Sequence, residues 1–388
     1  MIKSLKNIFK IELDPNRIFG LDILRAFAIL FVVIGHGKHL ISPKFIKFNQ
    51  LFVFDGVSIF FVLGGFLIGG ILIRSIDGNT FDKKLLFNFW KRRWYRTLPT
   101  YFLILTLLTV LNYLFIDNFS LLTTFKFYTF SQNLFYDSPI GFFTEAWSLS
   151  VEEWFYLTTP LLIIFFIRIF KINAKKSVLV SALVLIFLVT LFRYYRYLVL
   201  PIDTIYQWGY SFRGQVITRL DSLMFGVLGA YLKYYNSNWL KYKKTFLLIG
   251  LILLVLSKYI IKEMTDFNGL YNSVFSFTTF SIATLLLLPY LSDYKKENGF
   301  VYKWITIISL ISYSMYLLHS TVIQSWIIKK IIPWFIISNN RMVIKLLQYG
   351  LYWILAISLS ILLYKYFEIP MMKLRDKKTT IISKFTKK

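Results

Sequence analysis

There is no cysteine among the 388 residues, which removes disulfides, thiolate catalysis and cysteine-based metal sites from consideration. Acidic residues are scarce: 19 Asp and Glu stand against 45 Lys and Arg, for a formal net charge of +26. Histidine occurs only three times, as His36, His39 and His319, and no metal site is expected. Internal repeats, low-complexity tracts and any segment polar enough for a soluble domain are also missing. The longest non-membrane pieces, residues 117–150 and the basic tail from 373, are too short to bury a core. No basic stretch alternates with aromatics in a polar setting, so nucleic acid is not read as a partner despite the charge.

What remains is apolar. With 57% hydrophobic and 20% aromatic residues, the chain reads as an all-α, polytopic helix bundle of the lipid bilayer. Windows long enough to cross lie at 19–40, 51–73, 98–116, 151–170, 177–199, 214–235, 245–262, 274–291, 304–327 and 343–366, about ten spans. The basic start leads into the first span with no small-residue cleavage site, which predicts an uncleaved first helix rather than a signal peptide. Alternate loops carry unequal basic charge, and the positive-inside rule predicts both termini in the cytoplasm. Residues 1–372 read as one membrane domain and 373–388 as a cytoplasmic tail. Most prolines fall at span edges; Pro160 is inside the fourth span, where it predicts a kink.

Charges placed inside these spans are the costly residues, at roughly 2.5 to 3.5 kcal/mol each near the bilayer centre, and they point to function. Arg25 and His36 share the first span. Eleven residues apart, they lie within about 20° of one helix face and about 16 Å from each other. Near the level of Arg25 the spacing predicts Arg92, Arg93 and Arg96, with Arg93 and Arg96 on one face. Guanidinium forks at one depth suit a ligand with several phosphates. Toward the opposite side the topology gathers Asp55, Trp147, Glu152, Glu153, Arg219, Asp221 and His319 around His36. Such a group can orient an imidazole for general-base work, with Glu152 the first candidate to hold the histidine or a sugar. Each residue has a plainer reading: Arg25 snorkelling, the other arginines as topology anchors, Trp147 in the interfacial belt, the glutamates capping a helix, Arg219 paired with Asp221.

Several motifs occur together in order. Leu21-Asp22-Ile23-Leu24-Arg25-Ala26 leads through to His36. Then come Gly56-Val57-Ser58-Ile59-Phe60-Phe61 with Gly64-Gly65-Phe66, Arg93-Trp94-Tyr95-Arg96-Thr97-Leu98-Pro99, and Trp147-Ser148-Leu149 with Glu152-Glu153. Arg219-Leu220-Asp221, Ser312-Tyr313-Ser314-Met315-Tyr316-Leu317-Leu318-His319 and Phe367-Glu368-Ile369-Pro370 complete the set. Together they resemble the acyltransferase-3 family, multi-span bacterial membrane enzymes that acylate surface glycans. The resemblance implies a cytoplasmic acyl-CoA, commonly acetyl-CoA, as co-substrate with no bound cofactor. It places Arg25 and the Arg-x-x-Arg pair at the donor and His36 in the chemistry, as general base or as acyl carrier. It further implies a glycan or lipid-linked saccharide acceptor, glycan-assembly proteins as partners, and the bacterial inner membrane as location. Two departures stand out: Gly64 occupies a position where the family usually has serine, and Ser58-Ile59 replaces an acidic residue before Phe-Phe, leaving Asp55 as the nearest carboxylate. A transporter or flippase, with Arg25 and His36 along a proton or substrate path, is the alternative; it would lack thioester cleavage, and no paired broken spans or inverted repeats support it. A non-catalytic scaffold would leave the buried charges unexplained.

Overall fold

The computed structural model describes residues 9, 11–41, 43–76, 83–117, 119–135, 141–261, 265–296, 298–332 and 340–375. Most of the basic tail expected from residue 373 therefore lies outside the described residues. Among those described, regular structure is helical throughout and no strand occurs. We number the principal helices α1 (Phe19–His36), α2 (Pro43–Leu51), α3 (Gly56–Ile76), α4 (Lys83–Phe115), α5 (Leu121–Tyr128) and α6 (Ala146–Arg168). They continue as α7 (Ala174–Val199), α8 (Leu220–Tyr235), α9 (Lys243–Leu256), α10 (Ser276–Leu291), α11 (Phe300–Leu318) and α12 (Arg341–Leu363).

Among the described residues, eight helical segments, containing α1, α3, α4, α6, α7, α10, α11 and α12, are long and apolar enough to cross a membrane. The other two expected spans are helical but shorter. α8 has 16 residues, and α9 has 14 before passing into a π-helical stretch at Ser257–Ile261. α4 is the reverse case: its 33 residues reach about 50 Å, well beyond a hydrocarbon core of about 30 Å. Its first turns, which carry Arg92, Arg93 and Arg96, therefore extend the expected span toward the membrane surface.

Glycines set the closest helix approaches. A Cβ on Gly65 of α3 would lie 1.8 Å from the Leu223 carbonyl oxygen of α8, and one on Gly226 would lie 2.1 Å from that of Val62. These two helices touch backbone to backbone, the packing that small residues permit where lipid offers no hydrophobic drive. Gly56 meets the Ala28 carbonyl at 2.1 Å in the same way, pinning the start of α3 against α1. On its other side α1 is tied to α11, where Ser309 Oγ donates to Asp22 at 2.6 Å.

Pro160 does not break α6, which runs through it. Proline removes the N–H that would reach the carbonyl four residues back; here that carbonyl, of Tyr156, accepts from Trp90 Nε1 at 2.9 Å. The orphaned acceptor thus becomes a link between α6 and α4.

Candidate active site

Two cavities enter the bundle. The arginine cavity, about 120 Å³, is lined by Arg25 of α1, Arg93, Arg96 and Thr97 of α4, Glu152 and Tyr156 of α6, and Tyr313 and Tyr316 of α11. The histidine cavity, about 330 Å³, is lined by His36 together with Asp55, Trp208, Arg213 and Lys258. Val57, at the start of α3, borders both. The two spaces thus share a wall residue, with the arginines lining one and His36 the other.

His36 closes α1, and His319 sits where α11 gives way to a π-helical stretch, His319–Ile331. His36 Nδ1 is 2.7 Å from His319 Nε2. Their ring planes agree to 7° with centroids 4.9 Å apart, the geometry of two imidazoles joined edge to edge. His319 is fully buried, whereas His36 is exposed to the histidine cavity. On its far side His319 Nδ1 lies 2.8 Å from the Tyr316 carbonyl and 3.1 Å from that of Met315.

Those carbonyls fix the protons. A carbonyl only accepts, so Nδ1 of His319 carries hydrogen and its Nε2 presents a lone pair. Nδ1 of His36 must then be the donor across the 2.7 Å contact, and in neutral His36 the proton-free nitrogen is Nε2. The pair therefore holds one imidazole in one tautomer with its basic nitrogen turned away from the partner. A base oriented by a second group is the arrangement on which general-base catalysis depends.

Glu145 supports this turn. Its Oε1 accepts from the backbone N–H groups of Ser320, at 3.0 Å, and Thr321, at 2.7 Å, and its other oxygen from the Thr321 hydroxyl. These amides follow His319 directly, where an α-helix would use them to reach back toward Tyr316 and Leu317. Burial raises the Glu145 carboxyl to about 7, opposed by those hydrogen bonds. Sequence reasoning did not single out Glu145; its place just ahead of Trp147-Ser148-Leu149 was the available signal.

The other expected site residues separate into groups. Arg25, Arg93 and Arg96 line one cavity together, while Arg92 is exposed and outside that lining. Glu152 stands with the arginines and accepts from the Tyr156 hydroxyl at 3.0 Å; no hydrogen bond joins it to His36 among the described residues. The reason is the start of α6 at Ala146, not near 151, which carries Glu152 about 7.5 Å farther down the helix. Glu153 faces α4 and accepts from Thr97 Oγ1 at 2.9 Å.

Asp55 sits just before α3, where its Oδ1 accepts from the Ser58 N–H at 3.4 Å and its Oδ2 from the Ser58 hydroxyl at 2.8 Å, as an N-capping carboxylate does. Arg213 reaches the same carboxylate at 3.2 Å and lies over the Trp147 ring at 5.8 Å. Ser58 also accepts from Arg219 at 2.7 Å, so a polar chain runs from the cavity wall into the core. Asp221 is paired with Arg193 at 2.7 Å, both side chains fully buried. Arg193 was missed because it falls in the basic, aromatic end of α7, where an arginine looks like an interfacial anchor.

A family model described as an acyltransferase domain matches residues 18–365. The chain is 32% identical over 183 residues to the O-acetyltransferase OatA of Staphylococcus aureus, covering 44% of this chain and 28% of that protein. It is 36% identical over 184 residues to the putative peptidoglycan O-acetyltransferase YrhL of Bacillus subtilis, covering 43% and 27%. A putative O-acetyltransferase of Staphylococcus aureus matches at 26% over 334 residues, 79% of this chain and half of that protein. The chain thus spans between about a quarter and half of the length of these relatives. No solved structure matches. With the family match running from the start of α1 to beyond the end of α12, this chain belongs to the acyltransferase-3 family.

Proposed function

We propose that the protein is a membrane O-acyltransferase that moves an acyl group from acyl-CoA in the arginine cavity to a saccharide hydroxyl in the histidine cavity. The names of the relatives support acetyl as the acyl group. The observation that carries this reading is the His36–His319 pair, with His36 lining a cavity that shares Val57 with the arginine cavity. Arg25, Arg93 and Arg96 would take the CoA phosphates, and the pantetheine arm would run past Gly64 and Tyr313 toward Val57. Positive-inside charge supports a cytoplasmic arginine end and an inner-membrane location, so the transfer would cross the bilayer.

In this mechanism His36 Nε2 takes the proton of the acceptor hydroxyl as its oxygen attacks the thioester carbonyl. The C–S bond then breaks, the ester C–O bond remains, and the CoA thiolate recovers the proton from His36. While His36 is cationic, its Nδ1–H stays bonded to His319, which steadies the charge as the orienting member of a triad does. His319 is a positioning residue, and Glu145 holds the turn that carries it.

Labelled acetyl-CoA supplied to inverted vesicles tests the reading. Label should appear as ester on saccharide inside the vesicles, and His36→Ala at equal membrane level should abolish it. Saccharide movement with no thioester consumed would replace this proposal with transport.

A further inference from the structure

Acyl transfer develops a charge that the histidine pair does not meet. As the acceptor oxygen adds to the thioester carbonyl, negative charge gathers on the carbonyl oxygen, where a fixed hydrogen-bond donor is the usual source of much of the rate. His36 and His319 handle the proton instead. Donor and acceptor must meet where the two cavities share Val57, so the missing group belongs beside that residue.

Arg213 stands there. It lines the histidine cavity together with His36, Asp55 and Val57, and its Nη2 reaches Asp55, two residues before Val57, at 3.2 Å. Its guanidinium lies 5.8 Å from the Trp147 ring centroid. Trp147 in turn packs edge-on against Phe61, with centroids 6.1 Å apart, and Phe61 lines the arginine cavity. Arg213 thus faces the histidine cavity while the ring beneath it rests on a wall residue of the other. It is near enough to act electrostatically on both His36 and Tyr316.

Its mounting is specific. Arg213 ends a single π-helical turn, Gly209–Arg213, closed by the Gly214 N–H donating to the Gly209 carbonyl at 2.8 Å. The buried Asn133 side chain donates to the Gly214 carbonyl at 2.6 Å and to the Trp147 carbonyl at 2.9 Å, and its backbone carbonyl accepts from the Val216 N–H at 3.0 Å. One asparagine so clamps the chain just after Arg213 to the residue whose ring underlies the guanidinium. The Arg213 side chain nevertheless remains 42% exposed, and among the described residues only its Nη2 has a hydrogen-bond partner. The Nε and Nη1 donors are open to a ligand.

We propose that Arg213 is the electrophilic residue of the acyl transfer, its Nε–H and Nη1–H groups receiving the thioester carbonyl oxygen as that oxygen becomes negative. The assignment rests on the acyl-transfer reading. Attack by the acceptor oxygen moves the C=O electron pair onto the carbonyl oxygen, where the guanidinium holds it; the pair returns as the C–S bond breaks, and the CoA thiolate takes the proton from His36. A guanidinium offers its donors in a rigid fork and keeps its own protons throughout. Asp55 offsets the repulsion between Arg213 and a cationic His36.

The test uses the full chain in inverted membrane vesicles, which carry their own saccharide, with two labelled donors, acetyl-CoA and fluoroacetyl-CoA. Fluorine withdraws charge from the carbonyl oxygen, so the second donor depends less on a group that stabilises charge there. Arg213→Gln should lower the maximal rate with acetyl-CoA by about 10²- to 10³-fold, the loss typical of one oxyanion donor removed, with KM for acetyl-CoA changed less than about threefold. With fluoroacetyl-CoA the loss should be smaller by about fivefold or more. Arg213→Lys keeps the charge and the pairing with Asp55 but not the fork, and should be about tenfold more active than Arg213→Gln. Acetyl-CoA binding equal to that of the unaltered chain confirms that both variants are folded. A glutamine variant within about twofold of the original rate, a lysine variant no better than glutamine, or an equal loss with the two donors overturns the assignment; the last result would make Arg213 a holder of the acceptor instead. If the unaltered chain consumes neither donor, the acyl-transfer reading itself fails and Arg213 loses this role with it.

Discussion

Replacing His319 with alanine removes the acceptor for the His36 Nδ1–H and leaves the neighbouring Tyr316 carbonyl without its imidazole donor. A buried donor deprived of its partner costs about 1–3 kcal/mol, equivalent to about 5- to 150-fold in rate if it falls on the transition state. The tautomer is a second loss. With nothing to hold hydrogen on Nδ1, His36 also populates the form protonated at Nε2, which cannot act as base; a wrong tautomer costs about 10⁴ in a serine-protease triad. We expect His319→Ala to lower kcat by about 10²- to 10³-fold, with KM for acetyl-CoA changed less than threefold because the arginine cavity is untouched. His319→Gln is the informative companion. Its amide oxygen can reach the position of the imidazole Nε2 and accept from His36, so it should recover activity to within about tenfold of the original. The assay is CoA release in proteoliposomes with saccharide acceptor, at matched levels of folded protein. Activity of His319→Ala within twofold of the original, or a glutamine variant no better than alanine, would refute the assignment of His319 as the residue that sets the tautomer.

Arg25→Ala should raise KM for acetyl-CoA by about 10- to 100-fold, as expected for charge-assisted hydrogen bonds worth about 1.5–3 kcal/mol, with kcat at saturation nearly kept; titration of the donor checks it. Gly64 and Gly65 should part company although adjacent: nothing lies within 4 Å of a Cβ on Gly64, so Gly64→Ala should leave Tm equal or higher by helix propensity yet lower kcat/KM by narrowing the arginine cavity. Gly65→Ala drives its methyl into the Leu223 carbonyl and should lower Tm by an amount equivalent to about 1–3 kcal/mol or more, read by thermal unfolding in detergent. Arg193→Ala strands the fully buried Asp221 and should destabilise by about 3–5 kcal/mol, visible as a fall in Tm or loss of monodisperse protein.

Much of this architecture is legible in the chain because lipid imposes strict terms. A run of about twenty apolar residues has few alternatives to a spanning helix, and α1 occupies the stretch that the first apolar window marks. The shared face of Arg25 and His36 follows from helix pitch, and Arg93 and Arg96 share a cavity as their spacing suggests. Depth was harder. The apolar run suggested a fourth span from 151, but Ala146-Trp147-Ser148-Leu149-Ser150 already forms helix, and those five extra residues, about one and a half turns, move Glu152 from the histidines to the arginines. His319 was expected near His36, while its bond to His36 joins residues 283 positions apart and depends on α1 and α11 packing together. The partner of Asp221 was equally hidden: Arg219 is two residues away, but a helix points such neighbours in different directions, and Arg193 on α7 fills the place. Glu145 escaped notice because its role belongs to backbone amides of another helix, which leave no mark in side-chain patterns.

The most direct measurement of the central claim is CoA release and saccharide ester formation by the purified protein in proteoliposomes, comparing the original chain with His36→Ala and with acetyl-CoA binding measured in both. If His36 is the base, His36→Ala binds acetyl-CoA as the original does and forms no ester. Ester formation by His36→Ala at the original rate would contradict it.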